Sequence, residues 1–222
     1  MGMNYKSAKA ILPLLKQAAV DAGLYKNWFL SFGCVLGLCR EYQKSDKRLL
    51  PIPHDDDLDV AIQAWNTTKE QEERYFQNLK DLGMFKHRER IQRRPDTNRF
   101  LWFSLRKTKD GCKCCNWFMW KWNNYTWHGK GKLWVADNKF KKKTWKWKGT
   151  EECLAKGIPS YLLDTLTEIE YNGETYNVPL LAGSCCDAWY PGWITPKKGG
   201  ASKKDFVLLI PRFSEPNKWR IQ

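Results

Sequence analysis

The sequence predicts an α+β domain, a mixed sheet with flanking helices, and three patterns indicate it. Apolar residues recur at helical spacing over about 7–22, which is typical of an amphipathic helix. A short apolar strand at 28–32 then passes through a glycine turn into a second helix that ends at about 42. An aspartate-rich stretch leads into a third element, the aliphatic strand at 57–63. Helices and strands in this order are expected to share one hydrophobic core.

The remaining elements follow in chain order, and turn residues separate them. A helix is predicted at about 69–82. Strands are predicted near 100–106, 117–122, 132–135 and 144–148, with turn signals at 123–124 and 137–138. Short helices near 160–163 and 184–189 enclose a hairpin that turns at Asn172-Gly173, and a strand-like run lies at 206–210. Because the central strands are rich in tryptophan and lysine, we expect them to form an added β-meander.

Composition indicates a single domain. A chain of 222 residues of which 42% are hydrophobic can bury one good core. We therefore expect one domain over 1–198 and a C-terminal extension over 199–222 that packs on the same domain or is partly flexible. The sequence contains no run of 18 apolar residues and no signal-peptide pattern at its start, so neither a membrane span nor secretion is expected. The predicted compartment is the cytoplasm.

The acidic stretch at the start of the third element predicts a metal site. Asp55, Asp57 and Asp59 occupy alternate positions, so in an extended strand they project from one face while Leu58 and Val60 face the core. Like charges spaced about 7 Å apart repel one another unless a cation compensates them. Carboxylate oxygens favour Mg²⁺ or Mn²⁺, with Asp57 and Asp59 as the ligands. The alternative is an acidic loop, which the flanking aliphatic residues disfavour.

The glycine turn before the second helix predicts a phosphate site. Gly33 lies between an apolar strand and a helix, where backbone N–H groups and the helix dipole favour an anion. Such a junction is common by itself. Followed by two aspartates on the next strand, it matches the nucleotidyltransferase arrangement, in which the turn holds phosphates and the carboxylates hold the bridging metal.

Two longer segments extend this pattern. Gly33, Leu36, Gly37 and Arg40, followed by 55–60, spell Gly-x-x-Leu-Gly-x-x-Arg and then Asp-Asp-Asp-hydrophobic-Asp-Val. In these segments the chain resembles the LicD/fukutin family of phosphotransferases, which have a nucleotidyltransferase-like fold. The strand and hairpin at 169–179 and the aromatic segment at 189–198 are similar to the closing part of that family. The resemblance covers roughly 10–198.

The chain departs from the family pattern at several positions. His54 stands where the family usually has tryptophan, and Pro191 interrupts its Tyr-Gly pair. Asn116 stands where the family tends to have a further aspartate on another strand. An amide oxygen can still coordinate Mg²⁺, but it is neutral and cannot act as a base, so the rate is expected to suffer.

The resemblance implies an enzyme that transfers a phospho-alcohol from a CDP-linked donor, such as CDP-choline or CDP-ribitol, to a glycan hydroxyl with release of CMP. It implies that Asp57 and Asp59 hold the cation across the diphosphate and that Gly33 and Arg40 neutralise its oxygens. Asp55 is the candidate that orients or deprotonates the acceptor. The catalytic set is then Asp55, Asp57 and Asp59. The implied substrate-binding residues are Gly33, Gly37, Arg40, Asn116, Trp193 and Lys197.

The charge balance indicates anionic partners and keeps two other functions open. Lysine and arginine exceed aspartate and glutamate by 38 to 24, a formal charge of +14. Lysines concentrate at 139–148, where Trp145 and Trp147 alternate with them, and again at 197–204. Phosphorylated glycans or nucleotides fit this surface, and so does nucleic acid. The alternatives are a nucleotidyltransferase that uses an NTP on a small molecule or RNA, and an inactive module that binds nucleic acid or anionic glycan.

The eight cysteines are expected to be reduced thiols. Two pairs are adjacent in sequence, at 114–115 and 185–186, and adjacent cysteines rarely bridge each other. The sequence shows no secretory signal that would indicate an oxidising compartment. A zinc site that joins Cys112, Cys114 and Cys115 to His128 or Cys153 is the alternative, although Cys-x-Cys-Cys is not a usual zinc-finger spacing.

Overall fold

The computed structural model describes residues 5–41, 57–84, 91–93, 97–107, 113–122, 125–128, 134–135, 153–154, 157–190, 192–195, 209–211 and 219–221. Several predictions lie outside these described residues. They are Asp55, Lys197, the basic segment at 139–148 with its predicted strand, and the turns at 123–124 and 137–138.

Helices and strands follow one another largely as predicted. The described helices are α1 (Tyr5–Asp21), α2 (Phe32–Glu41), α3 (Lys69–Asp81), α4 (Tyr161–Asp164) and α5 (Ala182–Trp189), with single 3₁₀ turns at Tyr25–Asn27 and Ala64–Asn66. The described strands are β1 (Trp28–Leu30), β2 (Asp57–Gln63), β3 (Gln92–Arg93), β4 (Phe100–Arg106), β5 (Lys113–Trp122), β6 (Tyr125–His128), β7 (Trp134–Val135), β8 (Cys153–Leu154), β9 (Gly157–Pro159), β10 (Leu166–Tyr171), β11 (Glu174–Pro179), β12 (Leu209–Pro211) and β13 (Trp219–Ile221).

The main sheet is mixed, so the predicted α+β class is confirmed. Within the described part of the chain its order is β1-β2-β5-β4-β3, and β6 and β9 extend it from β5. β2 is antiparallel to β1 and parallel to β5, whereas β4 and β6 are antiparallel to β5. Strands β10 and β11 form the predicted hairpin, and both turn residues, Asn172 and Gly173, have positive φ as a tight hairpin turn requires.

Opposite faces of the sheet pack against different helices. Leu58, Val60 and Ile62 are fully buried on the face that carries α3, and α3 in turn contacts α1 through an Asn78 side chain bound to the Ala18 carbonyl. Asp57, Asp59 and Gln63 alternate with them and project to the other face, which α2 and α5 cover. Among the described residues, no helix combines the length and apolar character that crossing a membrane requires.

Element bounds follow local pattern where one face is apolar. β2 and β4 begin and end at the predicted residues: β2 alternates acidic with apolar residues at its start, whereas β4 is an almost continuous buried run. β5 begins at Lys113 rather than at residue 117, since its first residues extend the ladder with both β2 and β4. The sequence of this start, Lys-Cys-Cys-Asn, has weak strand propensity, so pairing with neighbours rather than local preference makes it a strand.

Helix α3 begins with a capping box. The Thr68 hydroxyl accepts from the Gln71 backbone N–H at 3.2 Å, and the Gln71 side chain accepts from the Thr68 N–H at 3.0 Å. Replacing Thr68 by alanine removes one partner of a helix-start N–H, so we expect the free energy of unfolding to fall by about 1 kcal/mol. Denaturant unfolding checks this value, and Thr68→Ser, which keeps the hydroxyl, should retain wild-type stability. An unchanged midpoint in Thr68→Ala would show that the cap contributes nothing.

A buried ion pair joins the start of α3 to Arg99, the residue that precedes β4. The side chain of Glu72 is 0% exposed, and its Oε1 accepts from Arg99 Nη2 at 2.6 Å. The same guanidinium donates to the carbonyls of Ala64 and Thr67, and it lies 4.4 Å from the centre of the Trp120 ring. Burial raises the pKa of Glu72 despite the opposing effect of Arg99. Arg99 therefore supports a carboxylate that the interior would otherwise disfavour.

Candidate metal centre

Asp57 and Asp59 converge with two side chains of β5. The parallel register places Asp57 opposite Lys113 and Asp59 opposite Cys115. Residues in register on neighbouring strands share a face, so the four side chains meet on the side covered by α2 and α5. The ligand atoms of Asp57, Asp59 and Cys115 all lie within 4.8 Å of one another. Two carboxylates and a thiol at this spacing form a candidate metal centre.

Asp57 is held by the start of β5. Its side chain is 14% exposed, and Oδ2 accepts from Lys113 Nζ at 2.7 Å and from the Cys115 thiol at 3.1 Å. Burial, followed by the charges of Asp59 and Asp57, raises the pKa of Cys115 well above its usual value. A protonated thiol that donates to Asp57 agrees with this direction. Lys113 supplies the positive charge that offsets one carboxylate.

Asp59 is more deeply buried and is fixed from two sides. It is 9% exposed. Its Oδ1 accepts from the Trp117 indole N–H at 2.8 Å, and Oδ2 accepts from the Gly33 backbone N–H at 3.4 Å. Gly33 thus lies beside Asp59, and its N–H, which was predicted to bind phosphate, donates here to the carboxylate. A carboxylate near the first turn of a helix is stabilised by the positive end of the helix dipole.

The strand-to-helix junction that delivers Gly33 is conformationally unusual. Phe32 has φ of 43°, a left-handed value that a bulky residue rarely adopts. Its ring packs edge-on against Trp117, with ring centres 5.3 Å apart, and against Trp189 of α5 at 4.7 Å. These contacts secure the turn, which costs on the order of 1–3 kcal/mol of backbone strain. Strain of this kind is enriched at functional sites.

Asn116 does not reach the carboxylates, which corrects the prediction that its amide oxygen supplements them. It lies opposite Val60 in the register and therefore on the other face of the sheet. There it is fully buried, and Oδ1 accepts from the Tyr75 hydroxyl at 2.8 Å, which itself accepts from the Trp28 indole at 3.1 Å. Asn116 thus links α3 to the sheet. The third candidate ligand is instead the preceding residue, Cys115.

The predicted zinc group is also divided by the sheet. Cys114 pairs with Leu58 and faces the α3 side, whereas Cys115 faces Asp57 and Asp59, so the two thiols cannot share one ion. Cys112 and the side chains of His128 and Cys153 lie outside the described residues.

The other predicted substrate contacts are spread along α2 and α5. Gly37 is buried one turn after Gly33, and Arg40 lies in the last turn of α2, roughly 10 Å from Gly33 along the helix axis. The Trp193 indole donates to Asp187 of α5 at 2.8 Å, on the exposed side of that helix. Asp55 and Lys197 lie outside the described residues. Among the described residues, the structure therefore brings Gly33, Asp57 and Asp59 together and places Asn116 on the opposite face of the sheet.

Sequence reasoning missed Lys113, Cys115 and Trp117 as members of the site. All three project from β5 toward the carboxylates because they occupy alternate positions of the strand. The signal was the period of two across 113–117. This alternation identifies site residues only once β5 is known to lie beside β2.

The donor set fits a divalent cation. Two carboxylates and a thiol at one point provide three ligand atoms on rigid strands, and Lys113 balances part of their charge. Comparison of the sequence with models of known protein families and with curated proteins found no match for this chain.

Proposed function

We propose that the chain is a metal-dependent phosphotransferase that moves a phospho-alcohol group from a CDP-linked donor to a glycan hydroxyl and releases CMP. The observation that carries the proposal is the meeting of Asp57 and Asp59 with the N-terminal turn of α2 at Gly33. Carboxylates favour a cation and the positive end of a helix dipole favours phosphate, which together suit a nucleotide diphosphate, and the Gly33 N–H would exchange Asp59 for the phosphate on binding. The resemblance of the same residues to the LicD/fukutin pattern supplies the donor class.

Each residue of the site has a role in this proposal. Asp57 and Asp59 hold the cation, which would neutralise phosphate oxygens as charge develops on them. Lys113, which is 26% exposed and bound to Asp57, can turn its ammonium toward a donor phosphate. Trp117 fixes Asp59 in one orientation. Preorganised charges of this kind contribute most of what phosphoryl transfer requires of a protein. Asp55 remains the candidate for orienting the acceptor hydroxyl.

A ligand panel tests the proposal before any acceptor is known. Thermal unfolding of the wild type is measured with Mg²⁺, Mn²⁺ or Zn²⁺ against CDP-choline, CDP-ribitol, CDP-glycerol, CMP and the four NTPs. A ligand at about 100 times its dissociation constant adds roughly 2.7 kcal/mol, which raises Tm by roughly 5–10 °C in a chain of this size. We expect one CDP-alcohol to do so only with metal. Asp57→Asn should abolish the shift.

Asp81→Asn is the matched control, because it removes one carboxylate charge from the exposed end of α3. It should respond to the panel as the wild type does. Stabilisation by NTPs instead of CDP-alcohols would replace the proposal with nucleotidyl transfer. If no nucleotide shifts Tm, the proposal is wrong. Nucleic-acid binding that weakens steeply with salt and survives Asp57→Asn would identify the inactive binding module instead.

A further inference from the structure

The third ligand atom of the candidate metal centre is sulfur. Cys115 Sγ lies 3.1 Å from Asp57 Oδ2, on the same face as Asp59. One ion can bond both atoms, because zinc bonds to sulfur and oxygen are about 2.3 and 2.0–2.2 Å long. Thiolate ligands favour zinc-like cations, whereas Mg²⁺ is bound by oxygen.

A second and independent observation beside Asp59 also points to a ligand. Ser31 is fully buried, and its hydroxyl has no hydrogen-bond partner in the described part of the chain. Its backbone N–H donates to the Asp59 carbonyl at 3.1 Å, which places Ser31 across from Asp59 on the same face. The hydroxyl does not cap α2, although the Ser31 carbonyl accepts from the first amides of that helix. A buried polar group without a partner costs about 1–3 kcal/mol, which a bound ion or its water would recover.

Charge at the centre also favours an ion with a thiolate ligand. Two carboxylates and one thiolate carry three negative charges. A divalent cation together with the Lys113 ammonium, which lies 2.7 Å from Asp57, carries three positive charges. The bound state is then locally neutral, so its burial under α2 and α5 is not penalised by excess charge.

From these observations we infer that Asp57, Asp59 and Cys115 bind a thiophilic divalent cation of the Zn²⁺ class, with Ser31 as hydrogen-bond partner of the ion's remaining ligand. Cys115 is thereby the residue that sets the metal preference. The inference rests on the metal position that the proposed function uses, but it needs no nucleotide. It replaces the expectation of Mg²⁺ or Mn²⁺, which considered oxygen ligands alone.

Metal titration of the full chain in the absence of nucleotide tests the inference. Zn²⁺ affinity is measured by competition with a chelating dye, and Co²⁺ is used as an optical probe. The wild type should bind one ion per chain and show a thiolate-to-cobalt charge-transfer band. Cys115→Ser should lose the band and weaken Zn²⁺ binding at least about 100-fold, since even outer-shell partners contribute 10–100-fold. Cys115→Asp should bind Mg²⁺ more tightly than the wild type.

Cys114→Ala is the matched control, because Cys114 is the adjacent buried thiol on the opposite face. It should retain the cobalt band and the Zn²⁺ affinity. Circular dichroism confirms that each variant is folded, and Cys115→Asp provides a second test if Cys115→Ser is unstable. A wild type without the band, or Zn²⁺ binding that survives Cys115→Ser, would overturn the inference. The metal titration contains no nucleotide, so a failed ligand panel does not change its result. A failed titration likewise does not decide whether nucleotides stabilise the chain.

Discussion

Arg99→Met is expected to lower the free energy of unfolding by about 3–5 kcal/mol, a large part of the stability of a typical domain. Glu72 is 0% exposed and relies on Arg99 for its compensating charge. Without the guanidinium, a buried carboxylate is left unpaired, and the carbonyls of Ala64 and Thr67 lose a donor. Denaturant unfolding at neutral pH measures the difference.

The loss in Arg99→Met should depend on pH. Glu72 has a raised pKa in the folded protein, so its contribution to stability is fully present below the unfolded pKa and is lost as pH rises through the folded one. Removing Arg99 raises that folded pKa further. The gap between wild type and variant should therefore shrink as pH falls toward about 4.3, the ordinary pKa of glutamate. A gap that is equal at both pH values would contradict a charge mechanism.

Arg93→Met is the matched control for this prediction. Arg93 pairs with Glu73, which lies on α3 beside Glu72, but the side chains of Arg93 and Glu73 are 28% and 39% exposed. Water can solvate Glu73 when its partner is removed, so this pair is expected to contribute about 1 kcal/mol or less. Comparable losses in Arg93→Met and Arg99→Met would show that burial of Glu72 is not the cause.

With water as the acceptor in place of a glycan hydroxyl, Asp59→Asn is expected to reduce CMP release from the stabilising CDP-alcohol by at least about 10²–10³-fold while the protein stays folded. The asparagine oxygen can still accept from the Trp117 indole, which holds the side chain, whereas its amide nitrogen cannot accept from the Gly33 N–H as Asp59 Oδ2 does. What disappears is the negative charge that holds the cation. Removing one of two neighbouring carboxylates also relieves repulsion, so stability should stay within about 1 kcal/mol of wild type or rise.

Asp187→Asn is the control for Asp59→Asn, because Asp187 also accepts from a tryptophan indole at 2.8 Å, here that of Trp193. It changes the same chemical group on the exposed side of α5 and should leave CMP release intact. Release is followed by separation of CMP from the donor, and unfolding is measured on the same samples. If Asp59→Asn releases CMP at the wild-type rate, Asp59 does not hold the catalytic ion.

The parts of the fold that sequence predicts best are those whose local pattern agrees with their environment. β2 is predicted to the residue because Asp57 and Asp59 alternate with buried apolar residues, and β4 because a run of apolar and aromatic residues, buried on both faces, ends at Arg106. The hairpin at Asn172-Gly173 follows from turn residues that tolerate positive φ. The parallel pairing of β2 with β5 has no such local signal, since about 50 residues separate the strands and only the folded sheet brings them together.

The site was predicted as far as one strand and one turn allow. Gly33, Asp57 and Asp59 carry recognisable spacing, and they meet as expected. Asn116 was expected to bind substrate at this site, whereas its neighbour Cys115 is the residue that faces the carboxylates. The error is a single position, but in a strand one position exchanges the two faces of the sheet. Only the register with β2 decides which of the two neighbours faces the carboxylates.

The alternation of acidic and apolar residues along β2 also disfavours pairing of this strand in a wrong register. A slip of one residue against β1 or β5 would turn Asp57 and Asp59 toward the apolar side chains beneath α3 and would expose Leu58 to the other face. Unpaired carboxylates in that interior would cost several kcal/mol each, so mispaired sheets are strongly disfavoured. A chain without the two carboxylates would lose the candidate metal centre, and it would also lose the penalty that keeps β2 in a single register.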